Sequence, residues 1–399
     1  MLRPVPVWLL CFVAISPSLG TAVAAIGRLV LYLFALVLLP LGLKGIPQGR
    51  KPITVLVLIA CAYMALSVLW SDVDATRALL AWSRHARLLT IPVLYYVIAS
   101  QSQARTVLKA YTYAQVFVVL TSWLLVLGVR APWVTALHAD DTYAVFGSYL
   151  EQSISQGVLM ALLWYQRDSI FGPRGRYLAI ALSCATLVLT LGFLPGRSGY
   201  MVALGLITLA VIHEIPKRYK WTAVLVPFLA LAIVGATSSH FRARMMQVST
   251  EIAGFTSKTN TDTSSGERLL YWQISGIAIA EKPVFGFGAG SWNHEYRRLE
   301  NGRAIRGSLS VDNPHQLFLL WTVDGGVIGL ALLCAVLASL WWYSRRLPVP
   351  DQLSLQAMIA ALVISGMFNS MIYGIGMGDF FCIGLGLLAA LNAKESQNA

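Results

Sequence analysis

The sequence predicts an all-α polytopic membrane protein. Of its 399 residues, 57% are hydrophobic and only 12% are charged. The apolar residues also gather into about twelve runs near the length of a bilayer crossing. A soluble domain this long needs a charged surface, and this chain cannot supply one.

At about 20 apolar residues per crossing, the runs fall at 5–20, 24–42, 53–70, 87–100, 110–128, 148–165, 178–194, 198–213, 221–237, 316–342, 356–373 and 379–393. The stretch Met1 to Gly20 carries Arg3 and an apolar core, like a signal peptide. It reads as the first crossing, because further crossings follow at once. The fourth run is the shortest.

Orientation follows from the short loops. Lys44, Arg50 and Lys51 share one loop, and Arg105 and Lys109 another. Arg167, Arg174 and Arg176 follow, then Lys217, Arg218 and Lys220, then Arg345 and Arg346. With about twelve crossings these loops share one side, which the positive-inside rule makes cytoplasmic. Both termini are then expected in the cytoplasm. The formal net charge of +12 has the same explanation, and no nucleic-acid partner is implied. The five cysteines, Cys11, Cys61, Cys184, Cys334 and Cys382, sit in apolar runs without a CxxC pair. They read as small buried hydrophobes.

The opposite side holds one long polar segment, 238–314, with charges of both signs. The expected organisation is thus 1–237 (crossings one to nine), 238–314 (a helical extracytoplasmic subdomain before the tenth crossing) and 315–399 (the last three). Within the subdomain, Ser264–Ser265–Gly266–Glu267 reads as a capping box with Ser264 at the N-cap. That helix should carry Arg268 in its first turn and stop before Pro283. Asn313–Pro314–His315 reads as a second helix start, with Asn313 at the N-cap and Pro314 at N1. His315 is then expected in the first turn of the tenth membrane helix.

Several cations fall on the side the charge rule leaves unexplained. Arg77, Arg84 and Arg87 lie before the fourth run, on one helix face within about 80°. Arg197 sits in the tight connection Pro195–Gly196–Arg197–Ser198–Gly199. Arginine near a bilayer is costly and finds a partner. Structural ion pairs and snorkelling are the plain alternative, with Asp72, Asp74, Asp140 and Asp141 as the available acids. The functional alternative is a basic pocket for a diphosphate, which guanidinium groups recognise bidentately. At a helix N-terminus His315 should be neutral at pH 7, and a neutral imidazole can accept a proton. A packing role competes with that reading. Trp272, one turn after Arg268, could stack on a sugar or anchor at the membrane interface.

Other signals are weak. His213–Glu214 lacks the second His of a zinc helix, and Gly286–Phe287–Gly288–Ala289–Gly290 lacks the surroundings of a nucleotide fold. The latter reads as a flexible loop before a helix starting near Ser291. No phosphate-binding loop, nucleophile elbow or outward Asp-x-Asp pair is present, so no metal or other cofactor is called for.

Four stretches, taken in order, resemble the O-antigen ligase family and, more broadly, the O-antigen ligase/polymerase superfamily. They are Gly196–Arg197–Ser198–Gly199, Ser265–Gly266–Glu267–Arg268 with Trp272, the run from Gly286 to Trp292, and Asn313–Pro314–His315–Gln316. The layout, about twelve crossings with a long loop before the tenth, is similar too. The resemblance implies an inverting, metal-independent glycosyltransferase of the GT-C type in the bacterial inner membrane, with its active site facing the periplasm. It would move O-antigen from undecaprenyl diphosphate to the lipid A–core acceptor. Arg197 and Arg268 would bind the diphosphate, and His315 would act on the acceptor hydroxyl. Arg84 and Arg87 match the family's basic patch only loosely, while Trp272 and Asn313 would support the glycan. An O-antigen polymerase or a protein O-oligosaccharyltransferase would share the donor. A lipid-linked glycan transporter would instead show ionisable residues in mid-crossing.

Overall fold

The computed structural model describes residues 5–38, 48–237, 239–256, 263–301 and 312–391. Arg3, Lys44 and the expected bounds at 42, 238 and 393 lie outside the described residues.

Among the described residues every regular element is helical. The first half runs α1 (Val7–Ile15), α2 (Thr21–Leu38), α3 (Lys51–Leu66), α4 (Ala75–His85), α5 (Thr90–Val97), α6 (Gln101–Val126), α7 (Ala139–Thr142), α8 (Tyr149–Tyr165), α9 (Arg176–Gly192) and α10 (Arg197–Glu214). The second half runs α11 (Leu225–Thr237), α12 (Ser239–Thr256), α13 (Ser264–Glu281), α14 (Trp292–Asn301), α15 (Leu317–Ser344), α16 (Val349–Gly366) and α17 (Ile375–Ala390).

Five helical stretches are long and apolar enough to cross a membrane: Lys51–Trp70, Pro173–Gly192, Lys217–Ala236, Leu317–Ser344 and Val349–Gly366. Val7–Leu19, Thr21–Leu36 and Ile375–Ala390 are shorter apolar helices. The expected runs overlap helices, though the eleventh (356–373) passes the end of α16 at Gly366, and the fourth is too short to cross straight. Its helix α5 has 8 residues, about 12 Å at 1.5 Å per residue. The chain is a multi-pass membrane protein.

The basic loops gather at one end of the bundle. Arg50 donates to the Tyr343 hydroxyl (3.0 Å) and the Ala390 carbonyl (3.3 Å), tying the start of α3 to the ends of α15 and α17. Arg105 makes a two-pronged pair with buried Asp351 (2.7 and 2.5 Å), joining α6 to α16. Arg167 pairs with Glu214 at the end of α10 (3.2 Å). Helices α4, α13 and α14 and the starts of α10, α15 and α17 lie at the other end.

Three expectations about local structure need correction. The α13 cap is Thr263, whose hydroxyl accepts from the Gly266 N–H (3.1 Å), so the capping residue is one position earlier than Ser264. Helix α15 starts at Leu317 with Gln316 as its cap, the side-chain oxygen accepting from the Leu319 N–H (2.5 Å). Asn313 instead closes a local turn by accepting from the His315 N–H (3.0 Å), with His315 left-handed at φ 50°. Asparagine serves such turns as readily as helix caps. Third, the glycine-rich loop 286–290 is a packed element. Phe287 and Ala289 are buried.

That loop is seated in a break of α15. Gly326 has φ 65° and ψ −165°, a conformation that glycine alone adopts without strain. The break frees backbone groups, and the loop takes them up. The Phe287 N–H donates to the Val323 carbonyl (2.8 Å), Gly288 N–H to Asp324 carbonyl (2.9 Å), and Val327 N–H to Pro283 carbonyl (2.8 Å). On its other side the loop is held by Ser67 and Ser71, which bond the Ala289 N–H (3.1 Å) and carbonyl (2.9 Å). A methyl group on Gly288 would sit 2.4 Å from the Ser71 Cα, and one on Gly326 would sit 2.0 Å from the Val284 carbonyl oxygen.

Charges also lie deeper than expected. Arg28 pairs with fully buried Asp379 (2.5 Å), linking α2 to α17, and His85 meets fully buried Asp324 at 3.0 Å. Ionisable groups are therefore not confined to helix ends. Each is paired inside the protein, as low dielectric demands. Only Cys61 and Cys382 are buried, whereas Cys184 and Cys334 are exposed.

Gly326→Ala should lower stability by about 3 kcal/mol or more, from positive-φ strain plus the carbonyl clash. Gly128 also has positive φ (78°) but open space around it, so Gly128→Ala should cost only about 1–2 kcal/mol. Thermal unfolding of the two variants in detergent checks the difference.

Candidate functional site

Arg268 and His315 line one cavity of about 470 Å³, together with Arg84, Glu151, Asn313 and Asn369. Arg268 also lines an adjoining groove of about 380 Å³, formed by Arg197, Leu204, Leu231, Met245, Trp272 and Phe368. The groove is apolar along its length and cationic where the two spaces meet. One guanidinium thus belongs to both.

Local folding explains how these side chains arrive. Arg197 is the first residue of α10, and Gly199 beside it lets that helix close onto Ser153 of α8. Arg197 donates to Glu251 of α12 (3.2 Å) and to the Ser265 hydroxyl of α13 (2.9 Å). Its acidic partner is therefore Glu251, not one of the four aspartates the sequence offered. Burial works against the Glu251 carboxylate, but bonds from Ser265 and Arg197 hold its pKa below the usual range. A phosphate reaching Arg197 would share it with this carboxylate.

Arg268 is better placed to take an anion. Among the described residues its one hydrogen bond is a long 3.5 Å one to the Asn369 side-chain oxygen. Burial, then the neighbouring charge of Arg197, lowers its pKa, yet a guanidinium stays protonated near neutrality. Asn369 in turn donates to the Ser198 hydroxyl at 2.8 Å, so it couples the start of α10 to Arg268. Asn369 carries no sequence signal: it is a single amide in the connection after α16.

His315 lies just before α15, so the helix terminus does not set its charge. Burial, then the positive charge of Arg268, lowers its pKa from 6.5 to about 4. The expected neutrality holds for a different reason. The Tyr271 ring lies stacked at 6.1 Å between centroids and fixes one face of the imidazole.

The remaining residues divide. Arg84 faces the cavity, 4.5 Å over the Tyr373 ring and 3.6 Å from Asp312. Arg87 is buried and spends its Nη1 on the carbonyls of Ile372, Tyr373 and Gly374 (3.0, 2.6 and 2.7 Å). It braces the floor below the cavity and does not line it. Arg77 is largely exposed and pairs with Asp74 at 3.2 Å. Trp272 lines the groove against Phe368, at 6.4 Å between rings, away from the imidazole cavity. Asn313 lines the cavity through its turn with His315. Among the described residues, no three His, Cys, Asp or Glu side chains cluster as a metal site would need.

Fold and site together define a multi-pass helical membrane protein with an arginine-centred cavity at one end of its bundle. Residues 178–334 match the model of the O-antigen ligase family. The match takes in Arg197, Arg268, Trp272, Asn313 and His315 and leaves out Arg84 and Arg87. An uncharacterized protein of Haemophilus influenzae is 24% identical over 184 residues, which cover 45% of this chain and 45% of that protein. The matched part is thus under half the length of that relative.

Histidine-resolved NMR titration should find His315 neutral down to about pH 4. Arg268→Gln should move its pKa upward, because the repelling charge is gone. A lowered folded-state value means the unfolded chain binds the proton first. The His315 contribution to stability is therefore complete above pH 6.5 and lost as pH falls toward 4.

Proposed function

We propose that this protein is a glycosyltransferase that moves a glycan from a polyprenyl diphosphate to a sugar hydroxyl. The observation that carries the reading is Arg268, shared by an apolar groove and a polar cavity. An amphiphile with an anionic head fits that arrangement: the isoprenoid tail along the groove, the diphosphate at Arg268 and Arg197, and the first sugar toward His315. The family match supports the same chemistry.

In this reading the acceptor hydroxyl attacks the anomeric carbon and the bond to the diphosphate breaks with inversion. Arg268 and Arg197 stabilise the charge that builds on the departing group. Preorganised donors in a dry site are most effective against developing charge. His315 accepts a hydrogen bond from the attacking hydroxyl and orients it. With a pKa of about 4 the free imidazole is a weak base. The bound diphosphate offsets the Arg268 charge and raises that basicity when the proton must move. The arginines supply the electrostatic role a metal would otherwise fill.

The full assignment is O-antigen ligase: undecaprenyl diphosphate as donor carrier and lipid A–core as acceptor, in the bacterial inner membrane. About twelve crossings would put the site in the periplasm and both termini in the cytoplasm. A polymerase or protein O-oligosaccharyltransferase would use the same donor and another acceptor. A lipid-linked glycan transporter would move the donor without cleaving it.

Arg268→Ala and His315→Ala should insert normally and lower transfer by about 10²–10³. Arg130→Ala, which removes an exposed pair with Asp140, should transfer normally. A chelator should leave the rate unchanged. The assay is transfer from a defined undecaprenyl-diphosphate glycan to lipid A–core in detergent, with a pilin acceptor in parallel. Full activity of both site variants would exclude the mechanism.

A further inference from the structure

A second pocket lies directly behind the imidazole cavity. It is about 290 Å³ and is walled by Gln115 of α6, Glu151 and Ser155 of α8, Thr21, Phe146 and Phe380. Glu151 lines both spaces and forms the partition between them.

Among the described residues, two polar acceptors here have no donor. The Gln115 side chain is buried; its amide nitrogen donates to the Ser18 hydroxyl (2.7 Å), while its oxygen has no partner. The Glu151 carboxylate makes no hydrogen bond and no ion pair among the described residues. Gln152, on the same wall, is by contrast satisfied by Val145, Ser122 and Tyr143. A buried acceptor without a donor, such as the Gln115 oxygen, is costly unless a ligand or water supplies the hydrogen, while the half-buried Glu151 carboxylate opens onto the pocket as a second free acceptor.

We propose that this pocket binds a neutral sugar ring of a glycan whose reacting end lies at His315. The inference rests on the reaction proposed above and deepens it. Both unsatisfied groups accept hydrogen bonds, and a sugar ring presents hydroxyl donors around its edge. Phe146 and Phe380 add apolar wall against which C–H groups of the ring can pack. The volume equals that of roughly ten waters in the liquid, enough for one ring. An anion would be repelled by Glu151. A hard cation would find one carboxylate where about six to eight oxygens are wanted. Glu151 and Gln115 are thus glycan-binding residues, distinct from the arginines that hold the diphosphate.

The test is calorimetric titration of the full-length protein in detergent with three probes. These are undecaprenyl diphosphate without sugar, the same carrier with one glycan repeat, and core oligosaccharide released from lipid A. The variants are Gln115→Leu and Glu151→Gln, which keep shape, and Val118→Phe, which fills the pocket from α6. Size exclusion and unfolding temperature select the variants that fold. Sugar-bearing probes should bind the variants about tenfold or more weakly, and the sugar-free carrier should bind them as it binds wild type. Weakening confined to the carrier-linked glycan assigns the ring to the donor, and weakening confined to the core oligosaccharide assigns it to the acceptor. Either supports the subsite. Equal binding of sugar-bearing probes to wild type and variants overturns it, as does wild type that binds no sugar-bearing probe. If the sugar-free carrier fails to bind wild type while sugar binding still falls in the variants, the donor reading fails and the subsite stands.

Discussion

The break of α15 at Gly326 is the constraint on which the site depends. A helix interrupted inside a membrane protein leaves backbone groups that must be satisfied by protein. Here the loop 286–290 satisfies them, and in doing so ties three elements together. Helix α13 leads into the loop and carries Arg268. Helix α4 is locked to the break by the His85–Asp324 contact at 3.0 Å, while the Gly290 N–H bonds the same carboxylate at 3.2 Å. The turn just before α15 holds His315 at the same end. The spacing of Arg268, Arg84 and His315 is therefore set by backbone geometry more than by contacts among the three.

What this scaffold presents is a junction between two kinds of space. On one side the walls are Leu204, Leu231, Met245 and Phe368; on the other they are Asn313, His315, Glu151 and Asn369. Arg268 stands at the boundary. A water-soluble anion would gain nothing from the apolar side, and a neutral lipid would gain nothing from the guanidinium. Only a ligand that is both lipid and anion uses the whole surface. Arg197 is more constrained, because Glu251 already neutralises part of its charge. That pairing keeps an otherwise repulsive arginine pair stable when no ligand is bound.

Much of the helix pattern was legible in the sequence, because long apolar runs have few other fates in a chain this poor in charge. The number of crossings was less legible: five helical stretches are long and apolar enough to cross, and α5, on the fourth run, has only 8 residues. The site was legible as residue types. Arg197, Arg268 and His315 stood out as cations and an imidazole where the charge rule gave no reason for them. Their connections were not legible. Caps shifted by one or more positions, since Thr263 and Ser264, or Asn313 and Gln316, offer the backbone equivalent oxygens. Loop 286–290 looked flexible because its fixed partner, the break at Gly326, lies 36 positions later in sequence. Asn369, Glu151 and Gln115 gave no signal, because a lone polar residue in an apolar run acquires meaning only from what packs beside it. Arg87 read as a ligand-binding cation and proved to be a brace for three carbonyls.

An electron cryo-microscopy structure of the detergent-purified protein bound to undecaprenyl diphosphate would show directly whether Arg268 holds an anionic lipid headgroup. Headgroup density is expected against the Arg268 guanidinium, within reach of Arg197, with a tail running past Leu204 toward Trp272 and Phe368. A headgroup bound elsewhere, or a groove left empty while the carrier is held at another surface, would contradict it.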